Sequence, residues 1–464
     1  MATPDSASWH QIGVFGSGVL VERQVNSLLV RPARPTPAQA EAVAQLRVFA
    51  EAAARTGPGR IRALTVYLAP FTGISLSGML TALREPFQRL CDDGAHQRLQ
   101  IVTGADHGST SGVNPLQALA DTLRITVMAP AGTLLQIPGN TLFPVDGSGA
   151  GHWQRYEPDA PEPSLDGPWH FSAAWAGDLP LDPVSYGESD IDVVAVPAGV
   201  VLTPYAGRAG SADDVFYSVP LDPRHPLVIV DRTGDPQVTA GQIARYLRTV
   251  PEPVRRSVRL CSASSDPAPN WAQAVADELG EPVEALTGVP LLRAGEYTCC
   301  VLGPDGNGDL AVRWEPLVSR LRHSPAPGTA EITGWRSPGP DLSRSGDRVY
   351  AVDGTWVVEI VPSGVWLRRN GIHELPAPVK APFDPVEPVL VVGSPGDQIT
   401  EQIWSYAGDL ADRLERVTGS RGRLRVLASP QAGRPGRGRL RLLAPTGTDS
   451  TEATGTTGRD VWQP

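Results

Sequence analysis

In this chain of 464 residues the groups able to do chemistry are few and scattered. Cys261 lies in the short apolar run Val258–Cys261, with His225 upstream in a comparable region. A thiol can act as a nucleophile when a base lies within hydrogen-bond reach and the sulfur is exposed. Cysteine also commonly fills core space. Asp106-His107-Gly108-Ser109 follows another apolar run. Its Asp–His pair could serve as a base with its orienting carboxylate, as two metal ligands, or as a helix cap. Asp231, Asp235 and Asp397 also follow apolar runs, where carboxylates can hold Mg²⁺ or act as a base. The Gly-Asp pair recurs at Gly234-Asp235 and Gly396-Asp397, which points to a turn or helix N-cap.

The segment from Arg421 to Arg441 has seven arginines and no acidic residue. Arg421, Arg423, Arg425, Arg434, Arg437 and Arg439 form a patch that could dock an acidic partner or a second subunit. A solvated strand running into a tail accounts for it equally well. Gly13-x-x-Gly16-Ser17-Gly18 is followed by Val19-Leu20-Val21, which reads as strand where a dinucleotide loop needs a helix. Asp305–Asp309 lacks the spacing and distal Glu of a calcium loop and reads as a hairpin turn.

Composition narrows the classes. The net charge of −10 argues against a nucleic-acid or anionic-membrane binder. Lys380 is the only lysine, so P-loop and most Schiff-base chemistry is excluded, and the arginine bias fits a GC-rich genome. The four cysteines, Cys91, Cys261, Cys299 and Cys300, suit neither a zinc site nor a disulfide framework. Met1–His10 lacks a signal-peptide pattern, and no apolar run is long enough to span a bilayer. A cytoplasmic protein is expected, with no membrane insertion and export by a dedicated non-Sec system left open.

The elements that must position these residues recur along the chain. Gln117–Gly132 (QALADTLRITVMAPAG) and Gln273–Gly288 (QAVADELGEPVEALTG) are identical at eight of sixteen positions without a gap. Each is followed by a second shared string, Arg155-Tyr156-Glu157-Pro158 and Arg313-Trp314-Glu315-Pro316. Asp222-Pro223 to Asp235 matches Asp384-Pro385 to Asp397, which suggests a partial third copy. Within a copy, Leu64–Leu68 or Leu227–Val230 reads as a buried parallel strand. A helix follows (Leu76–Leu90, the segment around Ile243 and Leu247, or Ile403–Leu414), then a second strand (Leu99–Val102, Val258–Cys261 or Leu424–Leu427). An Ala-rich helix (Leu116–Leu123, Trp271–Leu279), a third strand (Ile125–Met128, Pro282–Ala285) and a hairpin complete the unit. The expected class is α/β: tandem repeats of a mainly parallel-sheet βαβ unit with an appended β-hairpin. The expected boundaries are 1–160 and 191–323 for two full units and 348–445 for a partial third. Pro/Asp/Gly-rich linkers fall at 161–190 and 324–347, and a disordered Thr/Gly-rich tail at 446–464.

This run of elements resembles modules of large actinobacterial toxin-like and secretion-associated proteins. Over Leu64–Pro158 and Leu227–Pro316 it is similar to the C-terminal half of the caspase-like (clan CD) fold of self-processing toxin cysteine peptidases. The resemblance implies a His at the end of one strand and a nucleophilic Cys at the end of the next. The matching strand ends read Leu68-Ala69-Pro70 and Val102-Thr103-Gly104 in the first copy, and Val230-Asp231-Arg232 and Cys261-Ser262-Ala263 in the second. Neither supplies the His, and Ala263 takes the nucleophile's place, so the resemblance implies a pseudoenzyme. The reading that follows is a non-catalytic binding or scaffold protein whose partner is another protein, with no cofactor, no metal and no nucleic acid. A thiol or metal-assisted hydrolase using Cys261 or Asp106/His107, and a secreted effector or toxin-associated partner, are the alternatives.

Overall fold

The computed structural model describes residues 9–15, 18–24, 27–55, 63–69, 80, 84, 87–88, 98–103, 114–137, 141–146, 149–169, 173–186, 189–204, 215–230, 237–262, 268–293, 296–304, 310–325, 330–372, 383–384, 386, 388–394, 397, 399–420 and 424–428. It is a mixed α/β protein with several mixed sheets.

The first sheet opens with an antiparallel meander, β1 (His10–Phe15), β2 (Val19–Gln24) and β3 (Ser27–Pro32). Helix α1 (Pro37–Arg55) leads to β4 (Ala63–Leu68), parallel to β3, and β5 (Arg98–Thr103) pairs parallel to β4. Helix α2 (Pro115–Leu123) precedes β6 (Thr126–Ala131), parallel to β5. The Asn114 side chain caps α2 by accepting from Leu116 N at 2.9 Å, and Pro115 adds no orphan donor at the first helical position. A small antiparallel sheet follows, β7 (Thr133–Ile137), β8 (Thr141–Asp146) and β9 (Gly149–Ala150). The chain then returns to the large sheet as β10 (His152–Tyr156), antiparallel to β6, and β11 (Ser164–Asp166). Leu28, Val30, Leu64 and Val66 face α2, while Leu29 and Tyr67 face α1. Burial on both faces is why Leu64–Leu68 is continuously apolar instead of alternating.

The second sheet runs β12 (Val184–Tyr186), β13 (Ser189–Val196), β14 (Gly199–Thr203) and β15 (Leu227–Val230). Helices α3 (Ala240–Thr249) and α4 (Glu252–Arg255) lead to β16 (Arg259–Ser262), and α5 (Ala268–Leu279) leads to β17 (Val283–Leu286). Thr239 and Gln242 form a reciprocal capping box that starts α3. A second small sheet, β18 (Val289–Arg293), β19 (Glu296–Pro304) and β20 (Leu310–Trp314), precedes β21 (Val318–His323) and β22 (Glu331–Trp335). The third sheet consists of β23 (Ser343–Gly346), β24 (Val349–Ala351), β25 (Trp356–Val361), β26 (Gly364–Arg369), β27 (Val389–Val392) and, after α6 (Glu401–Thr418), β28 (Arg425–Ala428).

Three expectations need correction. The large sheets are mixed, not mainly parallel: parallel pairing over β3–β6 and β14–β17 is flanked by antiparallel strands on both sides. Very short connections, such as Pro197-Ala198, fold neighbouring strands back as hairpins. Within 161–190, read as a linker, several described residues join the core. Trp169 and Trp175 are buried, cross edge-to-face at 5.5 Å, and donate to the carbonyls of Val196 (2.8 Å) and Asp222 (2.9 Å). Likewise 324–347 carries β22, with Ile332 buried, and β23. The strings around Tyr156 and Trp314 occupy different strands. Tyr156 ends β10, which pairs with β6, whereas Trp314 ends β20, and β17 pairs with β21 instead.

The two small sheets each face two cores. In the first, Leu142 packs on the first large sheet, while Phe143 and Val145 enter the core of the second, where Phe143 meets Tyr217 edge-to-face at 5.8 Å. In the second, Cys300 and Leu302 pack on the second large sheet, whereas Val301 and Trp314 enter the core of the third. Trp314 stacks on Phe383 at 5.9 Å between ring centres. Burying one such ring removes apolar surface that stabilises by about 4 kcal/mol. The alternation of strand residues therefore joins each large sheet to the next.

Candidate functional site

Cys261 sits in β16, fully buried among Val201, Ile229, Leu286 and Cys300. Its thiol donates to the Gly288 carbonyl at 3.5 Å and the Ser262 carbonyl at 3.7 Å, and burial pushes its pKa well up. The same desolvation raises Cys299 to about 12 and Cys300 to about 11. Thiolate chemistry at neutral pH is correspondingly suppressed in all three. His225 is engaged elsewhere: its Nδ1 lies 2.9 Å from Asp222 Oδ2, ahead of β15.

Asp106 and His107 lie outside the described residues, as do Cys91, Asp231, Asp235 and most of the 76–90 segment. Asp397 is buried in a turn, accepting from Ser394 N at 2.8 Å with Arg369 3.5 Å away, which matches the turn reading. Of the arginine patch, Arg425 is exposed at the start of β28, whereas Arg421, Arg423, Arg434, Arg437 and Arg439 lie outside the described residues. Among the described residues no group of three or more His, Cys, Asp or Glu side chains could hold a metal ion. No described helix is long and apolar enough to cross a membrane.

Among the described residues lies a polar concavity that reading the sequence missed. A cavity of about 210 Å³ opens at the amino ends of β16 and β17, opposite the strand ends where ligands of parallel sheets usually bind. His225, Arg255, Arg256, Arg259, Arg320 and Arg322 supply its cationic and imidazole wall. Strand β16 delivers Arg259, the loop after α4 delivers Arg256, and alternate positions of β21 deliver Arg320 and Arg322. The deeper guanidiniums are fixed. Arg259 reaches Glu284 and Asp222, each at 3.0 Å, and Arg255 grips Glu281 through two hydrogen bonds of 2.9 and 3.1 Å.

The neighbouring guanidiniums favour the anionic form of the carboxylates. Burial opposes the charge on Glu284, yet the Arg259 hydrogen bond and the neighbouring Arg320 outweigh it and hold its pKa below the usual range. Burial likewise opposes charge on Asp222, and the Arg224 backbone N–H, His225 and Arg259 overcome it. Glu281 is lowered by its Arg255 hydrogen bond. Arg320 and Arg322 are less committed: Arg320 stands 3.7 Å from Glu284 and donates to the Thr333 carbonyl at 3.2 Å. The exposed Arg322 has no ion pair with another described residue. A sequence signal existed in Arg255-Arg256-Ser257-Val258-Arg259 and Arg320-Leu321-Arg322, but nothing local says that the two strings converge.

Compared with known proteins, the chain matches no family model, and no curated protein is significantly similar to it. The site must be argued on its own chemistry.

Proposed function

We propose that the chain is a non-catalytic binding scaffold, an array of two full and one partial α/β units of one caspase-like plan, whose partner is another protein. The observation that carries this reading is the two-faced packing of the small sheets, which makes each unit part of its neighbour's core. A chain joined in that way holds its surfaces in fixed mutual geometry, as a scaffold requires.

Residue-level parallels support the repeat. The Gln117 side chain bridges Asp121 at 2.9 Å and the Glu157 carbonyl at 2.7 Å, and Gln273 bridges Asp277 and the Ser324 carbonyl, both at 2.9 Å. Strand order through the first two large sheets follows one scheme, with a small sheet leaving after the last parallel strand and an antiparallel strand returning beside it. Between the second and third sheets, Gly199 pairs with Leu227 and Leu227 with Arg259, as Gly364 pairs with Val389 and Val389 with Arg425.

The burial of Cys261 supports the non-catalytic half. Native protein treated with iodoacetamide at neutral pH should leave Cys261 unmodified, and Cys261→Ala should retain partner binding with no peptidase activity in either form. Rapid alkylation of Cys261 in the folded state, or a hydrolytic activity abolished by Cys261→Ala, would overturn the reading in favour of the thiol hydrolase.

A further inference from the structure

We propose that the arginine-lined cavity at the amino ends of β16 and β17 binds a phosphate monoester or inorganic phosphate. The inference rests on the geometry of the second sheet alone and stands whether or not the units form a scaffold. The carboxylates around the cavity do not take up all of its guanidinium donors. Five guanidiniums line the cavity. Three carboxylates, Glu281, Glu284 and Asp222, lie in contact with them. Two further carboxylates stand nearby: Glu252 pairs with Arg256 across an exposed i,i+4 contact, which water and salt screen, and Glu331 lies opposite Arg322 on the neighbouring strand without an ion pair to it. The carboxylates thus match the guanidiniums in number, and what the cavity offers an anion is the uncommitted donors of Arg322 and Arg320.

The groups divide by role. Arg255 and Arg259 are largely buried, with side-chain exposures of 16% and 14%, and their forks are taken by carboxylates, so they shape the wall and fix its potential. Binding falls to Arg256, Arg320 and Arg322, whose donors are exposed or only partly engaged. Planar guanidiniums recognise tetrahedral oxyanions through paired N–H donors, which favours phosphate over a single carboxylate. Helix carboxyl ends border the cavity, since α3, α4 and α5 all finish beside it, and their dipoles oppose an anion. That opposition is weak and falls off within the last turn. Charge-assisted hydrogen bonds to phosphate oxygens are the stronger effect, so two or three outweigh it. The volume, about 210 Å³, admits a phosphate with a small organic substituent. Leu247, Leu260 and Leu279 supply an apolar wall for such a group.

The test is isothermal titration of the full chain with inorganic phosphate and with phenyl phosphate, using succinate as a carboxylate control. Saturable binding of both phosphates is expected, with little heat from succinate. The double variant Arg256→Ala/Arg322→Ala should weaken binding by about tenfold or more, while Arg344→Ala, at an exposed arginine outside the cavity, leaves it unchanged. Binding of inorganic phosphate alone would mark a free-ion site, and stronger binding of phenyl phosphate an ester site; either sustains the proposal. Both substituted arginines are exposed, so the variant should melt as the parent does. If it does not, Arg256→Gln/Arg322→Gln preserves the side-chain stems and carries the same expectation. No binding by the folded parent at about 10 mM phosphate, or equal binding by parent and folded variant, would sink it.

Discussion

Cys261 and His323 show how far burial sets a side chain's chemistry. For the thiol, losing water raises the cost of the anion, and the neighbours are carbonyls and apolar groups that offer it no compensation. His323 ends β21 opposite Val283, only 5% exposed, with Nε2 buried and lacking a hydrogen-bond partner. Desolvation lowers its pKa from the ordinary 6.5. The unfolded chain therefore takes up a proton here before the folded chain does. Stability from this group is intact above about pH 6.5 and is lost as pH falls from there toward the depressed folded value. Urea denaturation between about pH 7.5 and 5 should show a decline in stability to which this residue contributes, and His323→Phe should flatten it. An unchanged pH slope in His323→Phe would show that other groups carry the dependence.

At the scale of elements, Gly199 and Gly364 open β14 and β26 with φ of +150° and +148°. A Cβ at either would lie 2.1 Å from the carbonyl oxygen of the paired strand, Leu227 or Val389. Both the backbone conformation and the close approach exclude a side chain. Gly364→Ala should lower stability by about 2–4 kcal/mol in thermal or urea unfolding. A loss under about 0.5 kcal/mol would mean that the strand pair shifts without penalty. Local pattern made several elements legible. Leu227–Val230 is a strand to the residue, and the Ala-rich segments are helices, because an apolar run or a 3.6-residue period reports burial directly. It misled at Arg313-Trp314-Glu315-Pro316, since a four-residue likeness says nothing of which strand lies alongside. It was silent on α1, whose weakly patterned, alanine-rich sequence carries little periodic signal.

For the whole molecule, the joints between sheets are where a single residue should act at a distance. Trp314 ends a strand of the second small sheet yet lies in the core of the third large sheet with Phe383, Leu390 and Leu410. Trp314→Ala should cost about 3–5 kcal/mol and raise hydrogen exchange in β26 and β27, beyond the sheet that contains it. Faster exchange confined to β19 and β20 would show that the cores are independent and remove the basis for an array. Cores of the second and third large sheets also draw in residues of 161–190 and 324–347, Trp169, Trp175, Leu179 and Val184 in one and Ile332 in the other.

Sequence by itself determined the alternation of strands and helices and the Gln-Ala-x-Ala-Asp recurrence. These are properties of neighbouring residues: periodic burial, and a glutamine one helical turn from its aspartate. Only the tertiary structure decided that Cys261 is sealed, that His225 turns to Asp222, and that Arg255–Arg259 meet Arg320 and Arg322 around one cavity. Those outcomes depend on which strands pair across long stretches of chain, and pairing is set by the summed packing of whole sheets, which no local run of residues records.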